Sequence, residues 1–219
     1  MSRMFGDIAP RYDFVTRTFS FGMDSRWKQL AVDRSPLPAD AVVLDLACGT
    51  GDFSELVVRK LPKAWSIAVD LTEPMLQLAR QRGVHTVVCA DAQSLPFPSG
   101  AFDCVFVGYG LRNFPNLPAA VAEIARVLRP GGGAVTLDFF LPANPILRRA
   151  FLAILFIQGA AWGLLLHGRP RTYTYIPDSL RGFMTARDLI GLLRGTGFSR
   201  VDSREFLFGG IAVHWALKS

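Results

Sequence analysis

Short, continuous apolar runs alternate along this chain with segments whose apolar positions recur at helical spacing. That alternation predicts an α/β domain whose central strands are covered on both faces. The first run, Val42 to Leu46, contains an acid, Asp45, and breaks into the turn Ala47-Cys48-Gly49-Thr50-Gly51. A helical segment, Phe53 to Leu61, follows at once. Ser66 to Asp70 reads as the second strand. Thr72 as N-cap, Pro74 in the first turn and Gly83 as the stop then frame a helix with the buried stripe Met75, Leu76 and Ala79. His85 to Cys89 is a third strand and Phe102 to Gly108 a central one. A helix from Leu117 to Leu128, closed by Arg129-Pro-Gly-Gly-Gly133, leads to a fifth strand at Ala134 to Phe140. Thr185-Ala-Arg-Asp188 is a capping-box start for a helix to about Arg194. Ser199 to Phe208 and Gly210 to Leu217 form a hairpin around Gly209-Gly210.

Two segments stand outside this alternation within one domain spanning 1–219. Residues 1–40 precede the first strand and carry Phe5, Tyr12, Phe14, Phe19, Phe21 and Trp27, a pattern for short helices packed over the site as a lid. Tyr12-Asp13 and Ser20 to Trp27 are the stretches expected to face a ligand. Residues 141–183 form an insertion built on Ala150 to Leu166, the most apolar part of the chain. Its 17 residues sit at the short limit for crossing a bilayer. It lies between strands of one sheet, however, so a spanning helix would split the domain. The expectation is a helix buried between sheet and hydrophobic substrate, or one dipping into a membrane surface.

The turn at 47–51 carries the clearest chemistry. Gly49 and Gly51 let backbone approach a ligand without a Cβ between them. Asp70, 19 residues beyond Gly51 at the tip of the second strand, can accept hydrogen bonds from both hydroxyls of a ribose. The third glycine of a dinucleotide fingerprint is absent, because Ser54 stands there, and Asp52 would oppose a pyrophosphate. A cationic, phosphate-free nucleoside fits better. The turn resembles the S-adenosyl-L-methionine loop of Rossmann-like methyltransferases. Asp91, at the carboxyl end of the third strand, is placed to bond an adenine amino group or to cap its own loop. Arg112 and Asn113, just past the central strand, sit at the mouth of the sheet.

Bulk properties narrow the class. A 50% hydrophobic share and 19% charge exclude a disordered chain. Three cysteines without metal spacing argue against a disulfide framework and for a reduced cytoplasm, and no histidine has a ligand partner at useful spacing. The net charge of +6 is dispersed, without the alternation of cations and stacking aromatics that single-strand binding uses. An anionic membrane surface or an acidic ligand suits it better than nucleic acid. Met-Ser-Arg-Met-Phe-Gly-Asp at the N-terminus has no apolar core of a signal peptide.

Nearly the whole chain resembles the ubiquinone/menaquinone biosynthesis C-methyltransferases. The matching stretches are Tyr12-Asp13 with Ser20, Gly22 and Trp27; Asp45 to Asp52; Asp70 with Glu73-Pro-Met-Leu76; Gly110-Leu-Arg-Asn113; Arg126 to Gly132; Tyr173 to Leu180; and Gly210 to Trp215. Two positions depart from the family pattern: Thr16 where asparagine is usual, and Gly108 where serine is often a cofactor contact. The resemblance implies a Rossmann-like fold, with a mostly parallel seven-stranded sheet and a C-terminal antiparallel hairpin. It implies methyl transfer from S-adenosyl-L-methionine to a ring carbon of a prenylated quinol. By this resemblance Ala47, Gly49, Thr50, Gly51, Asp70, Met75, Asp91, Ala92 and Gly108 hold the cofactor. Tyr12, Asn113, Tyr173 and Tyr175 lie near the substrate. Arg112 is the candidate catalytic group, oriented by Tyr12 and Asp70, acting through water or as an electrostatic stabiliser. His214-Trp215 belongs to the core hairpin. Expected partners are the quinol, a membrane surface at the cytoplasmic face, and a second copy of the chain. A methyltransferase of another lipophilic small molecule, and a non-catalytic binding module, remain the alternative readings.

Overall fold

The computed structural model describes residues 12–169 and 173–219, with the side chains of 12–15 and 167 left aside. Two helices, α1 (Tyr12–Phe19) and α2 (Asp24–Asp33), precede β1 (Val42–Leu46). Then follow α3 (Asp52–Lys60), β2 (Trp65–Asp70), α4 (Glu73–Gln81), β3 (Thr86–Cys89) and β4 (Phe102–Gly108). A 3-10 turn at Leu111–Asn113 leads into α5 (Leu117–Val127) and β5 (Leu128–Phe139). The chain ends with α6 (Pro145–His167), α7 (Tyr175–Arg181), α8 (Ala186–Gly195), β6 (Phe198–Phe206) and β7 (Ile211–Lys218).

The seven strands form one sheet in the order β3-β2-β1-β4-β5-β7-β6. The first five run parallel; β7 pairs antiparallel with both β5 and β6. The order reverses between β1 and β4, so their carboxyl ends flank the crevice in which open α/β sheets bind ligands. Successive side chains of a strand face opposite sides. Accordingly Leu44 and Leu46 join an apolar cluster with α5 and α8, while Val43 joins one with α2, α3, α6 and α7. Both faces of β1 are thereby dry, which its unbroken apolar sequence requires.

The helix framing reads through. Met75, Leu76 and Ala79 are buried, Gly83 takes a left-handed φ of 89°, and Thr185 and Asp188 form the reciprocal capping box. Two strand boundaries move by more than one residue, and the apolar helix read from Ala150 starts earlier, at Pro145. β5 begins at Leu128, because the Arg129–Gly132 stretch continues the strand as a register irregularity against β4. β6 stops at Phe206, and the hairpin turns on Leu207 and Phe208, both left-handed, ahead of Gly209. Ser20, Asp24 and Trp27, expected to face a ligand, are interior instead. The Ser20 hydroxyl receives the Asp24 N–H, and Trp27 packs on Phe206 at 5.1 Å between ring centres. His214 is a core residue, as expected. Its ring contacts Thr136 Oγ1 at 3.3 Å and the Ala186 carbonyl at 3.0 Å, and burial holds its pKa down at about 4.

Candidate active site

The carboxyl ends of β1, β2 and β4 open into a cleft with about 820 Å³ of free space, its solvent-open mouth included. Ala47, Gly49, Asp70, Met75, Asp91, Ala92, Gly108 and Asn113 line it, all named from sequence. Thr72, Gln93, Tyr109 and Phe114 line it as well and were not. Two non-glycine residues there adopt left-handed backbone: Ala47 (φ 54°) at the end of β1 and Tyr109 (φ 57°) at the end of β4. Such residues persist where surrounding structure forces them, and they concentrate at binding sites. Gly110 permits the pair to approach, since a Cβ on it would fall 2.7 Å from the Ala47 Cβ. A Cβ on Gly108 would fall 2.7 Å from the Phe53 ring, which stacks on Phe106. The space that a serine would use at 108 is thus filled by an aromatic edge.

Asp70 is fixed at both oxygens. Oδ2 accepts the Gly49 N–H at 2.9 Å and Oδ1 accepts the Thr72 N–H at 2.8 Å. Thr72 gives no side-chain cap to α4; its hydroxyl also turns to Asp70. Burial raises the Asp70 pKa and these hydrogen bonds oppose it. A carboxylate has about four acceptor sites, and the Gly49, Leu71 and Thr72 N–H groups with the Thr72 hydroxyl already engage them, so a ligand hydroxyl here would share or displace the Thr72 hydroxyl. Asp91 is exposed and holds Gln93 through its backbone and side-chain N–H groups, so it caps its loop while lining the cleft. Asn113 donates to the Tyr109 carbonyl at 3.3 Å. Its buried Oδ1 has no partner among the described residues, leaving an acceptor for a ligand donor.

Asp45 works behind the turn. It is buried, and its Oδ2 accepts both the backbone and hydroxyl of Ser54 at 2.9 and 2.8 Å, tying the start of α3 to β1. Burial lifts its pKa from 3.8 to about 7. The folded protein therefore binds this proton more tightly than the unfolded chain does, and stability falls as pH rises from about 4 to 7. Asp45→Asn should flatten that decline, as read by urea midpoints between about pH 4 and 7; an unchanged slope would assign the decline elsewhere.

Thr50 and Gly51 build the turn from beneath. The Thr50 hydroxyl accepts from Arg82 at 2.8 Å. Gly51, with φ 88°, lies so close to Val84 that a Cβ would come within 2.7 Å. Asp52, expected to repel an anion, is neutralised. Lys28 of α2 donates to Asp52 at 2.5 Å and to Asp24 at 2.7 Å, and Arg82 pairs with Asp52 at 2.7 Å. Burial opposes ionisation of both Lys28 and Asp52, and the ion pairs outweigh it. The Lys28 pKa is raised and the Asp52 pKa lowered.

Arg112 lies beyond Asn113 and faces a different space, a groove shared with Asn116, Asp178, Ser179 and Phe183. Phe114 and Pro115 line both the groove and the cleft, so the two meet there. The sequence reading set Tyr12 and Asp70 around Arg112. In the structure the carboxylate at its guanidinium is that of Asp138, fully buried on β5, at 2.5 Å. Tyr175 hydrogen-bonds Arg112 from α7. Burial pushes the pKa of Asp138 and of Tyr175 upward, and Arg112 pulls each back. Tyr173 is fully buried, its backbone close against Gly159 of α6. The Tyr12 and Asp13 side chains, and Arg171, lie outside the described residues.

The cleft suits S-adenosyl-L-methionine. Its lining sets the fixed carboxylate of Asp70 beside the apolar side chains of Met75 and Ala92, and the strained Ala47 backbone borders the glycine turn. Solved structures agree in fold. A Thermotoga maritima SAM-dependent methyltransferase matches with a TM-score of 0.71 at 20% identity, over 99% of each chain. A Haemonchus contortus phosphoethanolamine N-methyltransferase solved with S-adenosylhomocysteine has a TM-score of 0.63 at 15% identity, over 87% of this chain and 52% of that one. Sequence similarity is closer. A Thermus thermophilus demethylmenaquinone methyltransferase is 39% identical over 96% of this chain and 98% of its own length. A Desulfotalea psychrophila ubiquinone/menaquinone biosynthesis C-methyltransferase, UbiE, is 37% identical over 100% and 90%. The model of the ubiE/COQ5 methyltransferase family matches residues 1–218. With that match along its length and relatives at 37–39% identity, this enzyme belongs to the ubiE/COQ5 methyltransferase family.

Proposed function

We propose that the protein methylates a ring carbon of a prenylated quinol, a demethylmenaquinol or related benzoquinol, at the cytoplasmic face of a membrane. The observation that carries this reading is the placement of adjacent residues on two joined spaces: Asn113 on the cofactor cleft, Arg112 on the neighbouring groove. When bound, S-adenosyl-L-methionine supplies an electrophilic methyl group. Asp70, Gly49, Met75, Asp91 and Ala92 hold it, with Thr50, Gly51 and Gly108 shaping the walls. The quinol ring lies along the groove with one oxygen at Arg112 and Tyr175, while Tyr173 backs that side; Tyr12 keeps the substrate role read from sequence. Loss of the hydroxyl proton raises electron density on the ring carbon, and the guanidinium stabilises the oxygen's negative charge. Arginine keeps its proton in proteins, so Arg112 acts as a charge stabiliser and the proton leaves through water. Asp138 positions Arg112. The helices of residues 1–40 serve as the lid and 141–183 as the substrate-side insertion.

The test is methyl transfer from S-adenosyl-L-methionine to matched reduced quinols, one naphthoquinol and one benzoquinol, with product identified by mass. Turnover on either supports the reading. Turnover on neither, with cofactor binding intact, moves the enzyme to another lipophilic substrate. Asp70→Ala should weaken cofactor binding by about 1.5–3 kcal/mol, the scale of hydrogen bonds to a charged group. Calorimetry showing an unchanged Kd would remove Asp70 from the ribose.

A further inference from the structure

Helix α6 has two apolar faces. Phe151, Leu155, Gly159 and Gly163, spaced by four, are buried. The Phe151 ring lies against Gly210 of the hairpin, and Gly159 sits against the Tyr173 carbonyl. The opposite face is open: Ile146, Ile154, Ile157, Leu164 and Leu165 are exposed, Ile157 at 66% and Leu165 at 72%. Phe208 stands nearby and is 80% exposed; the glycines that follow it pack against Pro142 and Phe151. Phe208 tips a turn of three left-handed residues, Leu207, Phe208 and Gly209, and the first two are not glycine, a conformation L-residues avoid unless something selects it. The helix is long and apolar enough to cross a bilayer. Crossing would strip its buried stripe from Gly210 and Tyr173, so it does not span.

Charge identifies what covers the open face. From residue 139 to 177 the chain has no acid, and carries Arg148, Arg149, Arg169 and Arg171. Arg149, in the first turns of α6, is exposed. A symmetric contact with a second copy would bring like charges together. An anionic lipid surface takes both the apolar side chains and the arginines. We propose that the outer face of α6, with Phe208, rests on an anionic membrane surface and lies in the interface plane. This rests on the substrate reading above, since a lipid-tailed quinol resides in that membrane.

The test uses the full chain, Ile157→Glu with Leu164→Glu, and separately Phe208→Ser. Each form is sedimented with vesicles of phosphatidylcholine alone or with phosphatidylglycerol added. The wild type should pellet with the anionic vesicles and detach at high salt, and the paired glutamates should weaken this at least about tenfold. The same variant should keep its rate on a short-tailed, water-soluble quinol and lose it on a long-tailed quinol held in vesicles. Wild-type protein that stays in the supernatant, or variants that pellet equally well, would overturn the proposal. So would a dimer dissociated by the same substitutions, which would place a second copy on the face. Vesicle binding intact but no methylation of any quinol would overturn the substrate reading alone and leave the surface supported.

Discussion

Arg112→Ala is expected to lower turnover by about 10² to 10³, the range for removing one donor aimed at developing negative charge. Cofactor affinity should stay close to wild type, because Arg112 lines the groove and not the cleft. The substitution also strands the Asp138 carboxylate, which is fully buried. Breaking a buried pair at one partner costs about 3–5 kcal/mol, so the melting temperature should fall as well. The two effects separate in Arg112→Met with Asp138→Leu, which replaces both charges by apolar groups. That double variant should recover most of the stability and none of the turnover. A wild-type rate in either form would end the role given to Arg112. Single-turnover rates, calorimetric Kd and thermal melts together decide it.

Lys28→Met should destabilise the fold by about 3 kcal/mol, since it leaves the buried Asp24 without its ion pair and Asp52 with Arg82 alone. For a chain of this size that is a fall in Tm of about 6–12 °C. The acid limb of stability changes too. The folded pKa of Asp52 lies below 3.8, so its contribution is present above that pH and is lost as pH falls further. Without Lys28 the depression shrinks, and the loss of stability below pH 4 should become shallower. Denaturant midpoints from pH 3 to 7 measure this. An unchanged acid limb would show that Arg82 alone sets the Asp52 pKa.

The strands and the cofactor side were legible because short-range rules govern them. A continuous apolar run such as Phe102 to Gly108 has one good solution, burial on both faces. Glycines at 49 and 51 followed by an acid at 70 mark a βαβ nucleoside site through backbone geometry alone. The residues passed over act across long sequence gaps. Asp138 looks like one more strand position, and only the pairing of β4 with β5 brings it to Arg112. Lys28 reads as an exposed cation until α2 packs against α3 and sets it beside Asp52. The repulsion expected from Asp52 failed for the same reason, because charge read along a sequence omits the partners that folding supplies. The Leu207–Phe208 turn was missed because adjacent Gly209 and Gly210 are better turn formers, and the chain bends two residues earlier.

The sheet order has a consequence for synthesis. Strands β1 to β4 lie within residues 42–108 and the cleft at their carboxyl ends has its full lining once the chain reaches Pro115, but β5 meets its outer neighbour only when residues 211–217 exist. During translation the nascent domain therefore carries an unzipped edge at β5 and a greasy α6 whose packing partner at Gly210 has not yet been made. Closure of the last hairpin is the step that protects both, which makes the final dozen residues the point where truncation would convert a foldable chain into an aggregating one.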